Sequence, residues 1–329
     1  MMPEDSPVMI RDGYVPIIDL GLDRSEHPGR RTAVAAAIGD ACASSGFLVV
    51  VGHAIPADVI TGIRAAAAEF FALPTELKVN VAASPLDPLK RGFVLQTLRH
   101  EQFYMNRLGE PRLRTELDNE LGDNLLMPNR WPDIPDFRER YLAYHRAVES
   151  FAGELMRLFA LSLGLPREYF DGRIDRHMSP LTTNYYPAQE LAPLPGELRN
   201  EQHRDWSAVT ILYQDDAPGG LQVLHPSDDW IDVPPVPGSF VINLGRIMAM
   251  WTNDRWASTL HRVVNPQRAD AHRDRISIGL FLHPNPEILV EPVETCIEPG
   301  EPPHHQPVLS GDFFLSRAKR AMSGAAVAS

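Results

Sequence analysis

His203 and Asp205, with His261 further along the chain, supply two imidazoles and one carboxylate, a donor set that suits a transition metal. In an extended strand the side chains at i and i+2 share a face, so His203 and Asp205 are expected to project into one cavity. Two imidazoles and a carboxylate on one face of an octahedron leave three positions open, which is what a non-heme Fe(II) enzyme needs to hold a cosubstrate and O2. Arg275 and Ser277 repeat the i, i+2 spacing, so a guanidinium fork and a hydroxyl can grip one end of a dicarboxylate. No catalytic residue beyond the metal ligands is assigned.

An H-x-D triplet alone is a weak signal in a chain with 12 histidines and 43 acidic residues. Its setting narrows the choice. Residues 204–213 are β-rich, His261 precedes Arg262-Val263-Val264, and Arg275 opens an apolar stretch that alternates in its first half, so all these candidates are expected on strands of one sheet system. His225, His272 and His283 flank turns without a carboxylate at ligand spacing, and rank below His261 as the third ligand. His53 reads as a structural hydrogen-bonding group, and His304-His305 as a solvated loop among prolines. Gly219-Gly220 reads as a hairpin turn, because no helix start follows to make it a phosphate cradle. Arg99, His100, Tyr104 and Arg107 read as helical or loop surface, and Trp206 as packed on the strand face opposite Asp205. A zinc hydrolase would accept the same two histidines and carboxylate but leaves Arg275-x-Ser277 without a purpose.

Further motifs occur in a fixed order along nearly the whole chain. They include Val15-Pro16-Ile17-Ile18-Asp19-Leu20, Gly46-Phe47-Leu48 with His53-Ala54-Ile55, Phe70-Phe71-Ala72-Leu73-Pro74-Thr75-Glu76-Leu77-Lys78, and Arg91-Gly92-Phe93. Asn184-Tyr185-Tyr186-Pro187, Gly219-Gly220-Leu221-Gln222-Val223 and the run from Pro237 to Gly245 follow. This series resembles the isopenicillin N synthase-like, 2-oxoglutarate-dependent Fe(II) dioxygenase superfamily, with Ala54 where that family usually has glycine. The resemblance implies His203, Asp205 and His261 as Fe(II) ligands. It also implies that Arg275, Ser277 and Tyr186 hold 2-oxoglutarate, with Asn184 supporting the site. The implied reaction consumes O2 and 2-oxoglutarate, releases succinate and carbon dioxide, and oxidises an unactivated C–H bond of a small molecule by hydroxylation, desaturation or cyclisation. An oxidase of the isopenicillin N synthase type, which uses no 2-oxoglutarate, is the alternative, since it keeps Arg-x-Ser and Thr210-Ile211-Leu212-Tyr213-Gln214 resembles its strand. Asn184-Tyr185-Tyr186-Pro187 favours the 2-oxoglutarate users. A non-catalytic small-molecule binder on the same scaffold has no use for both triad and clamp.

The elements that must position these residues are legible in the pattern. Val34, Ile38, Ala41 and Cys42 mark one amphipathic helix, and Val59, Ile63, Ala66, Ala67, Phe70 and Phe71 another that Pro74 ends. Phe47 to Val51 is a buried strand between them. A longer helix follows Asp136, whose spacing to Glu139 predicts a capping box, and Tyr144, Val148, Phe151, Leu155 and Leu158 form its core stripe up to Gly164 and Pro166. From about residue 181 to 282, short strands alternate with Pro/Gly/Asp turns. That pattern predicts a mixed α and β protein with a double-stranded β-helix (jelly-roll) core, flanked by helices mainly from the N-terminal part. The expected plan is one compact domain over 1–329: an N-terminal helical and strand region (1–130), a long core helix and connection (131–180), the jelly-roll core with the metal site (181–285), and a C-terminal segment (286–329) whose last residues, 322–329, are frayed. Cavity-facing residues are expected from 86–129 and 312–321.

With 329 residues, 44% of them hydrophobic, the chain can bury a sizeable core. Its formal charge of −12 argues against nucleic acid or an anionic membrane as partner. No run of 18 apolar residues exists, so a cytoplasmic protein is expected, with a small-molecule substrate and no obligate protein partner. Cys42 and Cys296 are too few for a disulfide framework and read as buried thiols. High Ala, Arg and Pro usage points to a GC-rich bacterial source and a tailoring step in secondary metabolism.

Overall fold

Five consecutive apolar residues, Phe47–Val51, leave a strand no face to give to water, and the fold covers both. The structure, a computed structural model, describes residues 8–322 apart from 22–27, 98, 117, 119–121, 123, 124, 190–192, 195, 218, 219 and 301. Gly219 of the predicted hairpin and the tail 323–329 therefore lie outside the described residues.

The N-terminal third supplies β1 (Met9–Arg11), β2 (Ile17–Asp19), α1 (Pro28–Ser44), β3 (Phe47–Val51), α2 (Ala57–Phe71), α3 (Thr75–Lys78), β4 (Gly92–Thr97) and β5 (His100–Asn106). α4 (Phe137–Ser162) and α5 (Asp171–Ile174) lead into β6 (Pro180–Tyr186), β7 (Asn200–His203), β8 (Val209–Gln214), β9 (Leu221–Leu224), β10 (Trp230–Asp232) and β11 (Phe240–Leu244). α6 (Arg246–Trp251), β12 (His261–Val263), β13 (Arg275–Leu282) and, after an antiparallel pairing of Leu289–Val290 with Val308–Leu309, α7 (Ser310–Met322) complete the described chain. One nine-stranded sheet runs in the order β1-β2-β3-β11-β8-β13-β6-β5-β4, and a four-stranded sheet in the order β10-β9-β12-β7. The strands β6 to β13 thus divide between two facing sheets, which is the jelly roll expected from the turn spacing.

The large sheet is buried on both sides, and its pleat sorts the sequence accordingly. Leu48 and Val50 of β3, Ile211 of β8, Ile242 of β11 and Ile276, Ile278 and Leu280 of β13 point toward α1, α2 and α4 and join their apolar stripes in one core. Phe47, Val49 and Val241 point the other way and pack on Leu221 and Val223 of the small sheet. α4 contributes Tyr141, Tyr144, Val148, Phe151 and Leu155 to the first core, as its predicted stripe requires. Its start departs from expectation: Asp136 adopts the left-handed conformation (φ 57°) and its side chain makes no cap hydrogen bond, so there is no capping box. The segment Arg99–Arg107 departs as well. Arg99 stays in a half-exposed turn, but His100–Asn106 form β5, where pairing to β6 gives alternate polar side chains an interior destination and buries His100; Arg107 follows the strand in a 3-10 turn and is buried by its ion pair with Asp118 rather than left on the surface.

The turn between β7 and β8 is held by the start of α6. Gly245 N–H donates to Ala208 O (3.0 Å), Arg246 N–H to Asp205 O (2.8 Å) and Ile247 N–H to Ser207 O (3.2 Å). A Cβ at residue 245 would run into the Ser207 carbonyl oxygen. Gly245→Ala is therefore expected to destabilise the protein by about 1–3 kcal/mol through overpacking, measured by chemical denaturation; an unchanged midpoint would show that this approach can relax freely.

Candidate active site

His203 closes β7 and His261 opens β12, and the antiparallel register places the two residues directly opposite each other. Asp205 lies two residues beyond the end of β7, in the turn that α6 holds. The expectation that His203 and Asp205 share one strand face is thus corrected: the strand stops at His203, and the turn brings the carboxylate back. The three ligand-type atoms still lie within 4.8 Å of one another, the one such group found among the described residues. Asp205 Oδ1 is 3.5 Å from His203 Nε2 and 3.7 Å from His261 Nε2.

Each member is oriented by a second partner. His203 Nδ1–H donates to Glu201 O (2.7 Å) and His261 Nδ1–H to Thr259 O (3.1 Å). Carbonyl oxygens can only accept, so in each neutral ring the bare nitrogen is Nε2, the one turned to Asp205. Asp205 Oδ2 accepts from Thr210 Oγ1 (2.5 Å) and Asn243 Nδ2 (2.7 Å), which leaves Oδ1 for the cluster. Burial alone would raise the Asp205 carboxyl, but His261 and His203 beside it and these two hydrogen bonds outweigh burial and hold it below its usual range. Burial pushes His261 down to about 4, which keeps its ring neutral at physiological pH. Two imidazole nitrogens and an ionised oxygen, each fixed from behind, match what a divalent iron requires. Phe47 packs edge-on against His261 at 5.3 Å and walls off its other side.

The remaining sequence candidates stand on the large sheet rather than on the same sheet as the histidines. Arg275 pairs with Tyr186 and Ser277 with Asn184 across β13 and β6, with all four side chains on the inner face. Arg275 Nη1 donates to Ser277 Oγ (3.3 Å) and Nη2 to Gln214 Oε1 (3.0 Å). Tyr186 is sandwiched: the His100 ring stacks on it at 4.5 Å, and the Arg275 guanidinium lies 5.4 Å from its centroid. Asn184 Oδ1 accepts from His100 Nε2 (3.0 Å) and Gln102 Nε2 (2.7 Å), so its amide nitrogen remains for the cavity it lines. That cavity, about 470 Å³, also takes in His203, Asp205, Tyr104, Phe281 and Phe314. Arg275 lines a second cavity of about 410 Å³ together with Gln214 and Gly220.

Several side chains are placed differently from the sequence reading, or were not singled out by it. Trp206 lines the main cavity instead of packing away from it, because residue 205 is outside any strand and the i+1 rule does not apply there. Residues from 88–104 and 314–318 line the cavity, as expected of those segments. Arg199 was missed. It is buried, its three side-chain nitrogens have no hydrogen-bond partner, and its guanidinium lies 5.6 Å from the same Tyr186 ring as Arg275. Burial, and then Arg275, lowers it to about 10. Its only sequence signal was a basic residue four positions before His203. His53 accepts from Ile55 N–H and contacts Gly238 O, a structural role. His304 and His305 both reach Asp254, at 3.2 and 2.9 Å. Cys42 and Cys296 are free and buried. No described helix is long and apolar enough to cross a membrane.

The chain matches two family models: the 2OG-Fe(II) oxygenase superfamily over residues 178–284, and the non-haem dioxygenase in morphine synthesis N-terminal region over 15–134. It is 30% identical to a 2-oxoglutarate-Fe(II) type oxidoreductase of Emericella nidulans, over 93% of this chain and 90% of that one. It is 31% identical to the validamycin A dioxygenase of Streptomyces hygroscopicus, over 88% and 82%. Among solved structures, a full-length Neurospora crassa protein in complex with alpha-KG and thymine superimposes with a TM-score of 0.82 at 26% identity, covering 95% of this chain and 99% of the other.

The hydrogen bonds behind Asp205 generate a test of their own. Asn243→Leu is expected to weaken divalent-metal binding by about 10- to 100-fold, read by calorimetric titration of Mn(II). Wild-type affinity would mean that Thr210 alone suffices to hold the carboxylate.

Proposed function

Because the chain belongs to the 2-oxoglutarate/Fe(II)-dependent oxygenase superfamily, and is an enzyme that uses Fe(II), 2-oxoglutarate and O2, we propose that His203, Asp205 and His261 hold the iron. Arg275, Ser277, Tyr186 and Asn184 then hold 2-oxoglutarate, and the substrate is a small organic molecule oxidised at an unactivated C–H bond. The observation that carries this reading is the convergence of the three ligand-type atoms, with both Nδ1–H groups tied to carbonyls and one Asp205 oxygen capped.

Iron held by His203, Asp205 and His261 would supply the oxidising chemistry for such a C–H bond, drawing on O2 and on 2-oxoglutarate, which would leave as succinate and carbon dioxide. The protein's part is placement. Asp205 and the two rings would hold the metal from the protein side and leave room for the cosubstrate. Arg275 and Ser277, aligned by the β13 pleat, take the distal carboxylate, and Tyr186 lies against that guanidinium. Trp206, Phe281 and Phe314 give the cavity that His203 and Asp205 also line apolar walls, which would limit water there once a substrate fills it. The oxidase alternative loses its support, since relatives on both sides of the comparison are named for 2-oxoglutarate or hold alpha-KG. The likeness to the validamycin A dioxygenase is in keeping with a tailoring step in secondary metabolism; a bacterial source rests on the Ala-, Arg- and Pro-rich composition, since the relatives are mostly fungal and plant. Membership of β1 to β3 in the same sheet as β13 supports treating 1–329 as one domain.

Two experiments test these roles. His261→Ala should lose bound Fe(II) under anaerobic metal analysis while His272→Ala, an exposed residue outside the cluster, keeps it; the reverse pattern would reassign the third ligand. Arg275→Lys should raise the KM for 2-oxoglutarate by about tenfold or more, measured by succinate release, since a point charge cannot replace a bidentate fork. An unchanged KM would move the clamp elsewhere.

A further inference from the structure

Arg199 is 4% exposed, and none of its side-chain nitrogens has a hydrogen-bond partner. A guanidinium is a fixed positive charge with several N–H donors, so burying one without an acceptor is strongly unfavourable. Other buried arginines of this chain are answered: Arg91 by both oxygens of Asp87 and by Leu125 O, and Arg107 by Asp118. The acids whose charge reaches Arg199 are Asp215 and Asp274, and neither forms a hydrogen bond with it. Asp215 is held elsewhere, its Oδ1 accepting from Ala217 N–H (3.2 Å) and its Oδ2 from Ile276 N–H (2.7 Å).

The position of Arg199 narrows the chemistry of its partner. The residue precedes β7 of the small sheet, where its N–H donates to Val263 O (2.9 Å), whereas Arg275 stands on β13 of the large sheet. The two guanidiniums, one from each sheet, come to the same Tyr186 ring, 5.6 and 5.4 Å from its centroid. Two like charges gathered at one buried ring repel, and an anion shared between them relieves both the repulsion and the missing hydrogen bonds. Arg275 itself donates only to neutral groups, Ser277 Oγ and Gln214 Oε1. Gln214 Nε2 is buried at this end without a partner, a further donor. Arg199 does not line the 470 Å³ cavity that His203 and Asp205 share, although its neighbour Asn200 does. The anion it suits therefore belongs to the Arg275 end and not to the space left for the substrate.

We propose that Arg199 is a specificity-determining residue for the cosubstrate: together with Arg275 and Ser277 it binds the distal carboxylate of 2-oxoglutarate. This deepens the reading of Arg275 and Ser277 as the 2-oxoglutarate clamp and rests on it. A carboxylate offers about four acceptor positions, enough for a guanidinium fork, a hydroxyl and a second guanidinium. Arg275 has neutral partners of its own and Arg199 has none, so Arg199 makes the site select for 2-oxo acids that carry a second carboxylate and against those that do not.

The test uses the full-length protein loaded with Mn(II), titrated calorimetrically with 2-oxoglutarate and with 2-oxopentanoate, which has the same carbon chain but a methyl group in place of the distal carboxylate. Arg199→Met and Arg199→Gln should each weaken 2-oxoglutarate by about tenfold or more while changing 2-oxopentanoate by less than about twofold. Thermal melting without any oxo acid gives a readout that a supporting role in the fold would move the other way. Removing a buried, unpaired cation should leave Arg199→Met melting at or above wild type. The proposal is overturned if 2-oxoglutarate affinity is unchanged, if both acids weaken equally, or if both Arg199 variants melt well below wild type. Arg275→Met, titrated in parallel, separates this proposal from the reading beneath it. If Arg275→Met weakens 2-oxoglutarate and the Arg199 variants do not, the role of Arg199 alone falls; if Arg275→Met also binds like wild type, the clamp reading falls as well.

Discussion

A sheet buried on both faces leaves each strand residue two destinations, the helix-side core or the space between the sheets, and everything at the active site depends on that sorting. In β13 the even positions Ile276, Ile278, Leu280 and Leu282 go to the core, and Arg275, Ser277 and Phe281 go inward. β6 sends Asn184 and Tyr186 inward, β5 sends His100, Gln102 and Tyr104, and β8 and β11 send Thr210 and Asn243. A polar side chain on the inner face must find a partner there, because burial without one costs about 1–3 kcal/mol. The inner-face residues therefore bond to one another, and the network is the active site. A register slip of one residue in β13 would put Ile276 and Ile278 where the clamp stands.

The buried Asp205 shows how the network sets chemistry. One oxygen is spent on Thr210 and Asn243, which fixes the carboxylate and keeps it ionised; the other remains directed at the two imidazoles. The turn that carries it is not free either, being tied to the first residues of α6 through Ala208, Ser207 and Asp205 carbonyls. The same tie delivers Arg246 to the cavity.

Much of this was legible in the sequence, for a physical reason. Period-two and period-3.6 patterns report burial, and burial is what organises β3, β13, α2 and α4, so these elements read correctly. The i, i+2 spacing of Arg275 and Ser277 survives because both lie inside a long strand. The same rule failed for Asp205 and Trp206, which follow the end of β7, and spacing says nothing about where a turn aims a side chain. Asp136 with Glu139 matched the capping box in type but not in backbone conformation, which residue letters do not carry. His100 and Tyr104 read as surface because they are polar; their place on the inner face depends on the pairing of β5 with β6, a contact across some eighty residues. Arg199 and the cavity-lining Lys90, Arg204, Arg246 and Arg317 come from four separate segments, and no local pattern announces that they converge.

The central claim, that the cluster holds iron and that Arg275 anchors 2-oxoglutarate upon it, is tested most directly by anaerobic visible absorption. Metal-free protein is titrated with Fe(II) and then with 2-oxoglutarate. A saturable metal-to-ligand charge-transfer band, absent when His261 is changed to Ala and requiring far more 2-oxoglutarate when Arg275 is changed to Ala, is the predicted result. Iron bound without any band, or a band indifferent to both substitutions, would contradict the assignment of these residues.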